Sequence, residues 1–233
     1  MSCGKKIVSI GAVLDDAHGL SIERTSVRER LGRFWQELVL RSETQVLAIR
    51  STFSWGNNNL QDVAGLPPSN RPPSDYRVWL GQVHYARQLG VDPLGAGGLQ
   101  FNARATLQRS PHRLLALDGI ALGGVATVRG YRENQLVRDE GELLNLELEW
   151  PLLSDAAREL RVVVVPFYDH GRGRNHGEPP TTLRSFGLAT RLNWKGLGLE
   201  LVLAKRLNPP AAVREQGDNL QDRGVHLQLS YRF

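Results

Sequence analysis

Apolar and polar residues alternate along much of this chain with a period of two. In Val225-His226-Leu227-Gln228-Leu229-Ser230-Tyr231-Arg232-Phe233 the odd positions are apolar or aromatic and the even positions are polar. Successive side chains of a strand point to opposite faces, so this segment has one apolar wall and one wet wall. The same pattern recurs upstream. Leu47, Ile49, Phe53 and Trp55 oppose Ala48, Arg50, Thr52 and Ser54. Trp79, Val83 and Tyr85 share one side of 76–89. Leu99, Phe101, Ala103, Ala105 and Leu107 oppose Gln100, Asn102, Arg104, Thr106 and Gln108. Further on, Leu144, Leu146, Leu148 and Trp150 oppose Asn145, Glu147 and Glu149, and Arg161 to His170 is rich in Val. Phe186, Leu188, Leu192 and Trp194 oppose Gly187, Ala189, Arg191 and Asn193, and Leu197, Leu199, Leu201 and Leu203 oppose Gly198, Glu200, Val202 and Ala204. Ser26 to Arg41 reads as a strand of poor parity. Residues 1–25 form an uncertain N-terminal segment with a partial strand over Lys6 to Val13. The pattern predicts about nine or ten strands of roughly ten residues, the length that crosses a bilayer at a tilt.

Two all-β architectures accommodate this alternation. In a soluble β-sandwich the charged faces are the solvated outsides. In an antiparallel transmembrane β-barrel the apolar faces meet lipid and the charged ones line the lumen. Trp55, Trp150, Trp194 and Tyr231 lie near strand ends on the apolar side, where an interfacial aromatic girdle belongs. The last strand runs to Phe233, an aromatic end like that of the closing strand of an outer-membrane barrel.

Composition adds exclusions. A mean hydropathy of -0.31 does not argue against a barrel, because half of each strand faces water. No apolar run is long enough for a spanning helix. Cys3 is the one cysteine, which leaves no internal disulfide and no thiolate metal cluster. The net charge of +5 comes from scattered arginines without an aromatic-basic patch, so no nucleic-acid partner is expected. The chain has no G-x-S-x-G elbow, and Gly95-Ala96-Gly97-Gly98 lacks the Lys-Ser/Thr of a phosphate loop. Asp15-Asp16 reads as a turn. His170 to Pro180 reads as an exposed hairpin turn with solvated histidines rather than a metal site built on Asp169, His170 and His176. These features predict neither an enzyme nor a cofactor. The run from Ile7 to Val13 makes a poor secretory signal.

Between the strands ending near Gln108 and beginning near Glu142 lies a long segment without strand alternation; connections of that length are commonly functional. It contains Leu122-Gly123-Gly124, whose paired glycines permit a tight hairpin, then Val128-Arg129-Gly130-Tyr131 and Arg132-Glu133-Asn134. Val128-Arg129-Gly130-Tyr131 resembles the VRG(F/Y) motif of the two-partner secretion transporters, the haemolysin secretion/activation (ShlB/FhaC/HecB-type, TpsB) family of the BamA-like superfamily. Phe167-Tyr168-Asp169-His170-Gly171 resembles that family's second motif, F-x-D-x-G. Leu220-Gln221-Asp222-Arg223-Gly224 and terminal Phe233 complete the likeness over residues 26–233.

The resemblance implies a sixteen-stranded barrel preceded by two periplasmic POTRA domains and a plug helix. Residues 26–233 would be the C-terminal part of that barrel, with a lumen loop over 109–140, so the chain looks like a fragment. Arg129 in the loop motif (Val128, Arg129, Gly130, Tyr131) would pair with Asp169 in the inner-wall motif (Phe167, Asp169, Gly171). Val162, Val164 and Tyr168 would then point outward, and Tyr231 with Phe233 would form the closing-strand signal. The implied function is translocation of an unfolded partner exoprotein across the bacterial outer membrane (type V secretion). The implied partners are that exoprotein, outer-membrane lipid and the barrel assembly machinery that inserts such chains. An assembly factor of the same superfamily and a soluble β-sandwich binding module remain as alternatives.

Overall fold

The computed structural model describes residues 5–22, 25–58, 72–208 and 220–232. Their strands are β1 (Lys5–Ile22), β2 (Thr25–Arg41), β3 (Gln45–Asn58), β4 (Asp75–Gln88), β5 (Gln100–Arg109), β6 (Ile120–Leu122), β7 (Leu136–Arg138), β8 (Glu140–Asp155), β9 (Leu160–Arg174), β10 (Thr181–Trp194), β11 (Leu197–Arg206) and β12 (Val225–Tyr231). Ten of them form one antiparallel sheet in the order β1-β2-β3-β4-β5-β8-β9-β10-β11-β12, and β6 pairs with β7 in a separate hairpin. Each strand of the sheet therefore lies beside its neighbour in sequence once that hairpin is set aside. The sheet is open among the described residues, with β1 and β12 as its outer strands.

This sheet removes the sandwich alternative, because among the described residues no second layer covers its apolar face. Those faces point away from the protein: Phe53 is 41% exposed, Leu188 42% and Leu203 49%. In water this contiguous apolar wall would be an aggregation surface; against hydrocarbon it is the favoured solution. The opposite face carries Asn145, Glu147, Asp169 and Ser185, all buried beneath the inserted loop.

The two ends of the sheet differ. One carries the connections 42–44, 89–99, 156–159 and 195–196; at the other β3 leads to β4, β5 to β8 through 110–139, β9 to β10 through 175–180, and β11 to β12. Short turns on the periplasmic side and longer loops outside are the usual arrangement in outer-membrane barrels. Trp150, Trp194 and Tyr231 are exposed at the short-turn end and Trp55 at the long-loop end, so aromatic residues mark both rims. Near Trp150 the register of β8 against β9 shifts between Pro151 and Leu153. Pro151 has no N–H to give the ladder, and the bulge that accommodates it leaves Leu152 and Leu153 both exposed.

Three local expectations change. Asp15 and Asp16 do not turn the chain, because β1 continues through them, paired with Leu31 and Arg30. The strand expected over Lys6 to Val13 runs from Lys5 to Ile22, since β2 supplies a partner along its whole length. The β9–β10 connection is not a free solvated turn: the His176 N–H donates to Asp139 at 2.9 Å, and the His176 ring lies 2.9 Å from the Ser110 carbonyl. Cys3, Phe233 and residues 59–71 fall outside the described residues.

Candidate functional site: a loop latched to the inner wall

The connection from β5 to β8, residues 110–139, folds back over the inner face of the sheet. Its stem is set by polar contacts with the backbone. The Ser110 hydroxyl donates to the Arg77 carbonyl at 2.9 Å, and the Gln108 amide donates to the Asp118 and Asp139 carbonyls. One carboxylate oxygen of Asp139 accepts the Leu114 N–H at 2.9 Å and the other accepts the His176 N–H. Leu114 packs with Leu31, Tyr76 and Val78 of β2 and β4. The loop then forms the β6–β7 hairpin, in which Leu122 pairs with Leu136. Beyond it the chain reverses through Gly123 (φ 105°) and Gly124 (φ 104°), conformations open to glycine and strained for other residues. The Glu133 carboxylate occupies the space a side chain at 124 would need and accepts the Val125 N–H at 2.7 Å.

This reversal delivers Val128-Arg129-Gly130-Tyr131 to the inner face of β8 to β12. Arg129 is 3% exposed. Its Nε and Nη2 donate to the two carboxylate oxygens of Asp169, each at 2.7 Å, and its backbone N–H donates to the same group at 3.0 Å. Nη1 donates to Glu147 at 2.7 Å. The guanidinium carbon also lies over the Phe167 ring, 3.6 Å from its centroid. Burial works against the Arg129 charge, but Asp169 and then Glu147 outweigh it and raise the group above its ordinary value. A planar fork held by two carboxylates and a ring face has one orientation, which a lysine could not reproduce.

The other motif residues surround this ion pair. Val128 is fully buried with Ile120, Leu122, Tyr131, Leu136 and Leu183. A Cβ on Gly171 would stand 2.8 Å from Val128, so the glycine makes the socket for that side chain. Gly130 (φ 87°) comes against β11, where an added Cβ would meet Ala204 at 2.9 Å. Its N–H donates to His226 on β12 at 3.2 Å, and its carbonyl accepts from Arg206. Tyr131 is fully buried, with its hydroxyl 3.0 Å from the Arg184 carbonyl and the Arg206 guanidinium over its ring. Burial raises the Tyr131 pKa, so the phenol stays a neutral donor. Arg132 forms a two-pronged pair with Asp222 at 2.6 Å for each contact. Phe167 and Asp169 are buried, while Val162, Val164 and Tyr168, at the alternate positions of β9, are more exposed. Tyr231 sits far from this site on the outer face, 63% exposed.

Sequence reasoning missed several partners. Asn145 donates to Asp169 at 2.7 Å and also to the Thr127 carbonyl. Glu147 bridges Arg129 to Arg191, which continues to Glu149 and Glu200 at 3.0 Å each. The signal was present in parity, since Asn145, Glu147 and Glu149 share the wet face of β8. Their pairing with β9 was not legible: in register Asn145 stands opposite Asp169 and Glu147 opposite Phe167.

Residues 37–193 match the model of the haemolysin secretion/activation protein ShlB/FhaC/HecB family. The chain belongs to that family. Its members are outer-membrane β-barrel proteins of two-partner secretion, which is the setting this sheet requires. Two solved structures share the fold. CdiB from Escherichia coli is 16% identical with a TM-score of 0.75, over 97% of this chain and 41% of that one. CdiB from Acinetobacter baumannii is 16% identical with a TM-score of 0.51, over 96% of this chain and 47% of that one. The haemolysin secretion/activation chain described here thus spans less than half the length of either. No curated protein sequence matches it.

Proposed function

We propose that residues 26–233 form the C-terminal part of an outer-membrane translocator that passes an unfolded partner exoprotein. In this reading 109–140 is a lumen element whose tip is latched to the inner wall. The observation that carries it is the near-complete burial of Arg129 between Asp169 and Glu147 on a segment that belongs to no strand of the sheet. A chain crossing such a pore needs polar groups to meet its backbone, and the inner face supplies them in Arg104, Glu147, Glu149, Arg191 and Glu200. The latch combines side-chain ion pairs, whose contacts water or a passing chain can replace one at a time, with the buried side chains of Val128 and Tyr131. The family membership and the transporter folds above support this reading; the chemistry expected is transport.

The test is Arg129→Ala and Asp169→Ala in the complete transporter. Secretion of the partner exoprotein should fall in both while the barrel still inserts, scored by heat-modifiable mobility. Wild-type secretion in both variants sinks the proposal.

A further inference from the structure

The outward face at the long-loop end holds a feature unrelated to the latch. An apolar groove of about 540 Å³ runs over β4, β5 and β8 between Ile49, Trp79, Val83, Ala105, Leu107 and Leu144. Small residues make its floor, Gly81 on β4 and Ala105 on β5, so bulkier neighbours stand as walls. Trp79 is fixed as one wall: its indole N–H donates to Ser51 at 2.9 Å, and its ring passes 3.0 Å from where a Gly81 Cβ would lie. The upper end of the groove reaches Glu142 and His170. There it joins a polar cleft lined by Arg109, Glu140, Glu142, Arg172 and Arg174.

Charge in that cleft is unbalanced. Arg174 is committed to Glu140 at 2.6 Å. Arg109 donates through Nη1 to the Gln108 and Gly141 carbonyls, at 3.0 and 3.3 Å, while its Nη2 is 3.9 Å from Glu142, so its charge is only distantly matched by a carboxylate. Arg184 approaches from β10 and donates to the His170 ring at 3.2 Å. The exposed Arg172 side chain has no hydrogen-bond or ion-pair partner among the described residues. In register Glu142 stands opposite Arg172, and Leu144 opposite His170, so the cations sit one level above the apolar wall. At a membrane boundary, exposed cations above a chain-sized apolar groove complement a lipid with an anionic head.

We propose that this face seats one phosphorylated glycolipid of the outer leaflet. A phosphoryl group would accept charge-assisted hydrogen bonds from Arg109, Arg172 and Arg184, and one acyl chain would lie in the Trp79–Leu144 groove. The outer leaflet is the source because the site lies at the end bearing the long loops. The seat is independent of transport, since none of its side chains faces the inner wall.

The experiment is native mass spectrometry of the intact protein in detergent, titrated with phosphorylated lipid A, dephosphorylated lipid A or inorganic phosphate. The wild type should retain one phosphorylated lipid A and bind the dephosphorylated form about tenfold more weakly, as expected for loss of hydrogen bonds to a charged group. The double variant Arg109→Gln, Arg172→Gln should lose that preference. Ala105→Trp, which fills the groove and leaves the charges, should weaken both lipids. Equal binding of the two lipids to wild type overturns the proposal, as does a double variant that keeps the preference. A protein that responds to inorganic phosphate as strongly as to lipid A also overturns it.

Discussion

The stem and the tip of the 110–139 loop are held in different ways. The stem hangs on backbone partners: Ser110 on the Arg77 carbonyl, Gln108 on two carbonyls, and Asp139 on two amides. The tip is oriented by side-chain ions and a ring face, Arg129 on Asp169, Glu147 and Phe167 and Arg132 on Asp222, beside the buried Val128 and Tyr131. The Arg77 carbonyl belongs to β4, and the other stem partners are main-chain groups at 114, 118, 139 and 176 that tie neighbouring turns to one another. Side-chain ions can exchange partners while the sheet stays intact. The difference makes the stem a fixed hinge and the tip a releasable latch.

The largest break of that contrast is Asp169→Ala. It leaves the buried guanidinium with Glu147 and the Phe167 ring as its remaining partners, and removing one partner of a buried pair costs up to about 3–5 kcal/mol. Hydrogen exchange should then rise at the tip amides of 124–132 and stay unchanged at Leu114, Asp118 and Gly119. Equal loosening of stem and tip would show the loop to be one unit. Phe167→Leu keeps a buried apolar side chain and removes the ring face, with an expected loss of about 2 kcal/mol for a desolvated cation–π contact. A double-mutant cycle with Arg129→Lys should show coupling between the two; strict additivity removes the stacking from the account.

The converse test is Asp139→Asn. The new amide has one acceptor where the carboxylate had two, so either the Leu114 or the His176 N–H loses its partner, at roughly 1–2 kcal/mol. Exchange should rise in the stem and the 175–180 turn and leave the tip protected. Smallest is the effect of acid on Asp92, at the short-turn end and part of neither region. The Gly97 N–H, with Ala96 in support, holds the Asp92 carboxyl below the usual carboxylate value. Its contribution is therefore complete above the ordinary carboxylate pKa and disappears as pH falls through the lower folded value. The amides of 95–98, those of 96 and 97 most, should lose protection in that window, and Asp92→Asn should show the loss at neutral pH.

The loop also separates what was legible in the residues from what was not. Gly123-Gly124 announced a reversal, and Arg129 stood out as one cation among apolar neighbours. The role of Gly171 could not be seen, because its missing Cβ matters only where Val128 arrives from another part of the chain. Nor could Arg206 and His226, which meet Gly130 across a long stretch of sequence. The composition around His176 is that of a solvated turn; the Asp139 carboxylate that captures its N–H lies on a different strand connection.

Alternation was decided locally. A strand sends neighbouring side chains to opposite faces whatever it packs against, so the outward walls of Leu, Val and Trp were fixed by the order of residues. Which wet-face residues meet depends on hairpin register and on where a long connection returns, and these are properties of the assembled sheet. Asn145 faces Asp169 because β8 and β9 pair at that offset, and Arg129 reaches both because the loop stem is pinned to β4 and to the β9–β10 turn.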